Sequence, residues 1–173
     1  MSNDFDTSGA FEDRQGKHPA VAGIEDVITF KLHTLGVIGE RSGSHWSETM
    51  FDFTLTNWRV LAVIRAHQPT RAGDVAEILL MDKSQLSRVI KQLKAARLIV
   101  DTTDPDDGRA VALKLTAKGT TLYHRIMEHV MERNELVLAP LTSQEAETLS
   151  RLLDKLIAQS RVLLESRNQS HGK

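Results

Sequence analysis

From Ile24 the apolar positions recur at helical spacing: Ile24, Val27, Ile28, Leu32 and Leu35 share one face, and the pattern predicts a helix to about Met50, weakened in its middle by Gly36, Gly39 and Gly43. Leu55-Thr56 opens a second helix, with Thr56 as a suitable N-cap and Leu55 able to staple onto Val60. Trp58, Leu61, Ala62 and Ile64 supply its apolar face, and Gln68-Pro69 closes it. Thr70 is expected to start a short third helix through Val75, Ala76, Ile78 and Leu79. After only Leu80-Met81 a fourth begins at Asp82, where Asp-x-x-Gln has the form of a capping box with Gln85 reaching back. Leu86, Val89, Ile90 and Leu93 make its apolar face; Lys83, Ser84, Ser87, Arg88 and Lys91 lie mostly opposite.

Beyond Ile99 the period falls to two. Val111, Leu113 and Leu115 alternate with Ala112 and Lys114, and Asp104-Pro105-Asp106-Asp107-Gly108 is turn chemistry between two strands. A long helix follows, striped by Leu122, Ile126, Val130 and Val137, capped by Thr116 and broken at Pro140. Thr142-Ser143-Gln144-Glu145 is a capping box for a last helix, with Leu149, Leu152, Leu153, Leu156, Ile157, Leu163 and Leu164 in a near-continuous stripe. Residues 1–23 hold Gly9, Gly16, Gly23 and Pro19 without an apolar period and are expected to form a mobile tail. The resulting fold class is mainly α with a small β-hairpin.

Charge then separates one helix from the rest. The 173-residue chain has a net charge of −1, which argues against bulk polyanion binding. Lys83, Arg88, Lys91, Lys94 and Arg97 nonetheless follow one another with no acidic residue between them, while four acidic residues face Arg14 in the first sixteen. A basic helix two residues after another helix, with a hairpin behind it, is the layout of a winged helix–turn–helix presented to DNA. Ser84, Gln85, Ser87 and Arg88 lie near the start of that helix, where base edges are met first; arginine suits guanine and glutamine suits adenine. Lys83, Lys91 and Lys94 suit phosphates, and Arg109, lifted by the turn, suits the minor groove. The competing readings are a solvated basic face for the helix, and a surface ion pair with Asp106 or Asp107 for Arg109.

Other chemistry is sparse. Cysteine is absent, so disulfides and thiolate metal sites are excluded. No stretch of about 18 apolar residues suggests a membrane span, and no signal pattern opens the chain, so a cytoplasmic location is expected. The histidines include no His-x-x-x-His pair, and His124 and His129 do not share a helical face; His33 with Glu40 or His45 stays open as a cluster. No nucleophile elbow, Gly-rich phosphate loop or paired-carboxylate motif points to an enzyme. No cofactor is implied.

LTNWRVLAVI, DKSQLSRVIKQL and DPDDGRAVALKLTAKG together resemble the MarR family of bacterial transcription regulators, over roughly Ile24 to Leu164. The wing signature, Asp-x-Arg followed by L-x-LT-x-x-G, carries the resemblance furthest. It implies a winged helix–turn–helix domain at 55–116 and a helical dimerisation region from 24–50 and 117–168. It also implies a homodimer on a pseudo-palindromic duplex DNA operator, acting as a repressor released by a small phenolic or aromatic carboxylate effector. His33, Arg41, His45, Trp46, Trp58 and Arg65 are the candidate effector contacts, with dimer packing and surface charge as their competing role. The alternatives are a winged-helix protein without an effector, or a metal-responsive regulator. Two departures from the family stand out: Gly108 where a second wing arginine is common, and Arg97 where a helix-ending glycine is common.

Overall fold

The computed structural model describes residues 21–170, with side chains to 167. Most of the tail expected over 1–23 therefore lies outside the described residues; Val21 to Gly23 are irregular and exposed. A single 3-10 turn at Ile24–Asp26 precedes α1 (Ile28–Phe51). There follow α2 (Leu55–His67), α3 (Ala72–Leu79), α4 (Lys83–Ala95), β1 (Ile99–Thr103), β2 (Val111–Leu115), α5 (Ala117–Leu138) and α6 (Ser143–Ser170). The chain divides into two compact units, the break falling after Gly119 in the first turn of α5.

In the first unit α2 is the hub. Leu55, Trp58, Val60, Leu61 and Ile64 are all buried, and α2 packs against α1, α3, α4 and β2. Val75 and Ala76 from α3, Leu86, Val89 and Leu93 from α4, and Leu98, Ile99, Ala112, Leu113 and Leu115 from the hairpin complete this core. Gly43 lets α1 close on α2: a Cβ there would lie 3.0 Å from Leu55 Cδ2. The hairpin is antiparallel, pairing Ile99 with Leu115 and Thr103 with Val111.

Several starts and stops differ from the sequence expectation. Thr54, not Thr56, caps α2, accepting from the Asn57 N–H at 3.1 Å; Leu55 is already inside the helix and buried. Thr70 does not start α3. It bridges to Leu113, its N–H donating at 3.2 Å and its carbonyl accepting at 2.8 Å, so the hairpin gains a short third edge. Asp74 caps α3 instead, accepting from the Arg71 N–H. The helix expected from Ile24 is interrupted at Val27, whose extended backbone separates the 3-10 turn from α1.

Three helices end through a left-handed residue that is not glycine: Asp52, Leu80 and Arg97, with φ of 48, 50 and 59°. At the end of α4 the Leu98 N–H reaches the Leu93 carbonyl and the Arg97 N–H reaches that of Lys94, a Schellman closure that satisfies the last carbonyls. Arg97, where the resemblance leads one to expect a glycine, thus adopts left-handed backbone, at a cost of about 1 kcal/mol relative to glycine.

In the second unit Thr142 and Glu145 cap α6 reciprocally: the Glu145 N–H donates to Thr142 Oγ1, and the Thr142 N–H to Glu145 Oε2 at 2.8 Å. The Thr142 N–H, then the Thr142 hydroxyl at 2.7 Å from Oε2, hold the Glu145 carboxyl below its ordinary range. α5 stops at Leu138, two residues before Pro140, as its position requires.

Thr116 caps α5, accepting from the Gly119 N–H at 3.0 Å. Here glycine is obligatory: a Cβ on Gly119 would stand 2.0 Å from the Leu98 carbonyl oxygen. Gly119→Ala should therefore cost about 3 kcal/mol or more, as a backbone clash rather than an overfilled core. Gly108→Ala, with nothing within 4 Å of the new methyl, should stay within about 0.5 kcal/mol. Urea unfolding of the two variants checks both, and equal midpoints would refute the constraint.

Candidate nucleic-acid interface

The helix–turn–helix is formed by α3, the turn at Leu80, Met81 and Asp82, and α4. Leu80 turns left-handed so that α4 leaves at an angle, and Asp82 caps the new helix, accepting from the Gln85 N–H at 2.8 Å and from the Ser84 hydroxyl at 2.6 Å. The Ser84 bond, then the Gln85 bond, lower the Asp82 carboxyl from its ordinary value. The capping box is one-sided, because Gln85 does not reach back to Asp82. Its side chain stays exposed and available on the outer face.

Leu86, Val89 and Leu93 bury the inner face of α4, leaving Ser84, Gln85, Ser87, Arg88 and Lys91 exposed on the other. The proposed readers thus emerge together, although the Ser84 hydroxyl is already engaged with the cap. The basic residues separate. Lys83 and Lys91 are exposed, whereas Lys94 is half-buried with its Nζ 2.6 Å from Asp101 Oδ1 on β1. Lys83, Ser87, Lys91 and Lys94 rim a cleft of about 590 Å³ between α4, α3 and the hairpin, floored by apolar side chains such as Leu86 and Leu113.

The wing turn is built on Asp104, which is buried despite its charge. Its Oδ2 accepts from Arg71 Nε at 2.6 Å, and its Oδ1 from the Asp106 and Asp107 N–H groups at 2.9 and 3.0 Å. Asp107 Oδ1 accepts from the Arg109 N–H, so the turn orients the arginine through its backbone. Among the described residues no carboxylate pairs with the Arg109 guanidinium; Asp107 instead sits 4.0 Å from Arg71. Arg71 and Asp104 escaped the sequence pattern because they lie 33 residues apart and join only through the fold.

The base of the wing is held as firmly. Gln68 Oε1 accepts from the Leu115 N–H at 2.8 Å, replacing a strand partner. Thr116 Oγ1 donates to the Arg97 carbonyl at 2.7 Å, and Lys118 Nζ donates to that of Ala96 at 2.9 Å, so the start of α5 covers the end of α4. Arg97 is exposed beside this junction.

The residues considered for an effector divide between core and surface. Trp46 and Trp58 are buried, Trp46 meeting Phe51 edge-to-face at 5.9 Å. His33, Arg41 and His45 are exposed on α1, and Arg65 is half-buried on α2. Glu40 pairs with Arg59. Among the described residues no group of three or more His, Asp or Glu could hold a metal ion, and no helix is long and apolar enough to cross a membrane.

Residues 51–110 match the MarR family model. The chain is 34% identical over 88 residues to an HTH-type transcriptional regulator YxaD of Bacillus subtilis, covering 51% of this chain and 62% of that one, less than two thirds of its length. It is 27% identical to the HTH-type transcriptional repressor NicR of Pseudomonas putida, over 76% of this chain and 85% of the relative. Among solved structures, a MarR/EmrR family transcriptional regulator from Acinetobacter superposes with a TM-score of 0.73 at 25% identity, over 80% of this chain and 98% of the other. The MepR of S. aureus, seen in complex with DNA, superposes at 0.68 with 19% identity, over 79% of this chain and 99% of the other.

The Arg71 pairing, then the Asp106 and Asp107 N–H groups, lower the Asp104 carboxyl from 3.8 to about 2. A depressed carboxylate stabilises the fold fully above its unfolded value and loses that contribution as pH falls through its folded one. The wing turn should therefore hold above about pH 4 and loosen towards pH 2. A carbon-detected NMR titration should place the Asp104 midpoint near 2 and move it up towards 3.8 in Arg71→Ala. An unmoved midpoint would assign the shift to the turn backbone alone.

Proposed function

We propose that this chain is a MarR-family transcriptional regulator, a homodimeric repressor that reads a pseudo-palindromic operator with α4 and the wing. The matched family model and the relatives it resembles, a transcriptional repressor and a transcriptional regulator among them, support that reading. The observation that carries the reading is the outer face of α4, where Gln85, Ser87 and Arg88 stand exposed above a buried Leu86-Val89-Leu93 stripe, at the place in the helix–turn–helix that enters the major groove. Arg88 is the proposed bidentate reader and Gln85 its neighbour; Lys83 and Lys91 are the phosphate anchors. Lys94 contributes less than its sequence position suggests, since Asp101 neutralises it. Arg109, without a carboxylate partner, supplies the minor-groove contact.

Two faces support the dimer. On α6, Leu152, Leu156, Ile157, Val162, Leu163 and Leu164 are exposed, and on α1, Ile28, Leu35 and Ile38 are exposed. Exposed apolar stripes of this kind are the mark of an interface, and a second copy offers the same stripes for a two-fold contact. Within one chain α1 packs with the winged unit; its grouping with α5 and α6 as a dimerisation region belongs to the assembly. A two-fold pair of wings would place half-sites about 34 Å apart.

The effector we propose is a small aromatic acid. Arg41, Arg65, His33 and His45 provide the cationic or hydrogen-bonding partners, and Trp46 and Trp58 provide aromatic walls. The burial of both tryptophans equally suits a regulator with no such ligand. A thermal-shift screen of phenolic acids separates the two.

Arg88→Ala should cost about 1–3 kcal/mol on the preferred duplex and relax base choice at one position, whereas Lys91→Ala should weaken all sequences alike and flatten the salt slope by about one unit. Equal losses on every sequence for Arg88→Ala would reduce it to a phosphate contact. Leu156→Asp with Leu163→Asp should leave a folded monomer in sedimentation, while a wild-type protein that is already monomeric at micromolar concentration would overturn the dimer.

A further inference from the structure

We propose that Arg71 is a positioning residue for the wing, setting through Asp104 where Arg109 stands relative to the reading face of α4. This rests on the proposed minor-groove role of Arg109. Arg71 occupies the N-cap of α3, the bracing helix of the helix–turn–helix, and its N–H is tied to Asp74 in the first turn. From there a hydrogen-bonded path runs to the tip. Arg71 Nε donates to Asp104 Oδ2; Asp104 Oδ1 accepts from the Asp106 and Asp107 N–H groups; Asp107 Oδ1 accepts from the Arg109 N–H, and its carbonyl from the Ala110 N–H at 2.8 Å. The Asp107 carboxylate also faces Arg71 directly, at 4.0 Å.

The two ends of the hairpin need different attachments. Its base is secured by the Thr70–Leu113 bridge and by Gln68 on Leu115. Its tip lies beyond the last strand pair, Thr103 with Val111, where a two-stranded ribbon left to itself is marginally stable and twists freely. Arg71 reaches that tip from the same helix that braces α4. It therefore couples the two DNA contacts, and binding then spends less of its free energy on ordering the wing. Planarity matters: the guanidinium meets Asp104 with Nε and turns another nitrogen towards Asp107, which a lysine ammonium does not reproduce. Because both carboxylates neutralise Arg71, it is not itself a phosphate anchor.

The test is a double-mutant cycle on the full chain, read by fluorescence anisotropy and salt slope. The probe is a duplex selected by the wild-type protein from a random-sequence pool. Arg71→Ala and Arg109→Ala should each weaken binding about tenfold, the scale of one good groove contact, and the double variant should bind no more weakly than either alone. In the Arg109→Ala background, Arg71→Ala should leave both affinity and salt slope unchanged, while Arg88→Ala keeps its full effect in the Arg71→Ala background. Losses that multiply, a further drop in salt slope, or an Arg71→Ala protein of wild-type affinity would each overturn the proposal. Should Arg109→Ala change neither affinity nor minor-groove protection, the wing reading fails first and the latch fails with it. Should Arg71→Ala not fold, Arg71→Lys carries the same cycle, with a smaller loss that again vanishes in the Arg109→Ala background; a loss that persists there overturns the proposal.

Discussion

The carbonyl of Leu98 is where the winged unit is locked. It accepts from the Thr116 N–H at 3.0 Å and lies so close to Gly119 that no side chain fits between them. Three elements meet at that oxygen: the Schellman end of α4, the first residue of β1 and the first turn of α5. Thr116 and Lys118 then cover the neighbouring carbonyls of Arg97 and Ala96. The exit angle of α4 follows from this arrangement, and with it the direction in which Arg88 points. A helix whose last turn frays cannot present a side chain within the tolerance that base reading requires.

The acidic residues explain how a chain of net charge −1 offers a basic surface. Asp82 is absorbed by the cap of α4, Asp101 by Lys94, and Asp104 by Arg71 and the turn backbone. Each is placed where a carboxylate organises the reading unit without facing the α4 outer surface. Arg88, Lys91 and Arg109 form no ion pair among the described residues, Arg88 feeling the Asp82 carboxylate only weakly. Local arrangement rather than net charge thus supplies the positive field over α4 and the wing.

Much of this was legible in the residues. The apolar stripe of α4, the period change at Ile99, the Asp-Pro-Asp-Asp-Gly turn and the Thr142–Glu145 box are local patterns, and each element formed where its pattern lies. The departure at Arg97 was legible as a glycine position without its glycine, and the structure gives it the left-handed backbone a glycine would adopt. Cap positions were less so. Thr54 and Thr56 are equally good caps by type, and packing of Leu55 beneath Gly43 favours the earlier one. Thr70 reads as a helix start until Leu113 comes alongside and turns it into a strand edge.

What the sequence determined by itself was therefore the set of elements and the basic outer face of α4, because helical and strand periods and capping chemistry are short-range properties. What only the tertiary structure decided was which charges remain available. Lys94 and Lys91 are three residues apart on one helix, yet Asp101 from β1 engages the first and leaves the second. Arg71 and Asp104 carry no common motif, and they meet because the fold brings the start of α3 beneath the wing turn. Ion pairs across such separations depend on a few ångströms of packing geometry, which no local periodicity encodes.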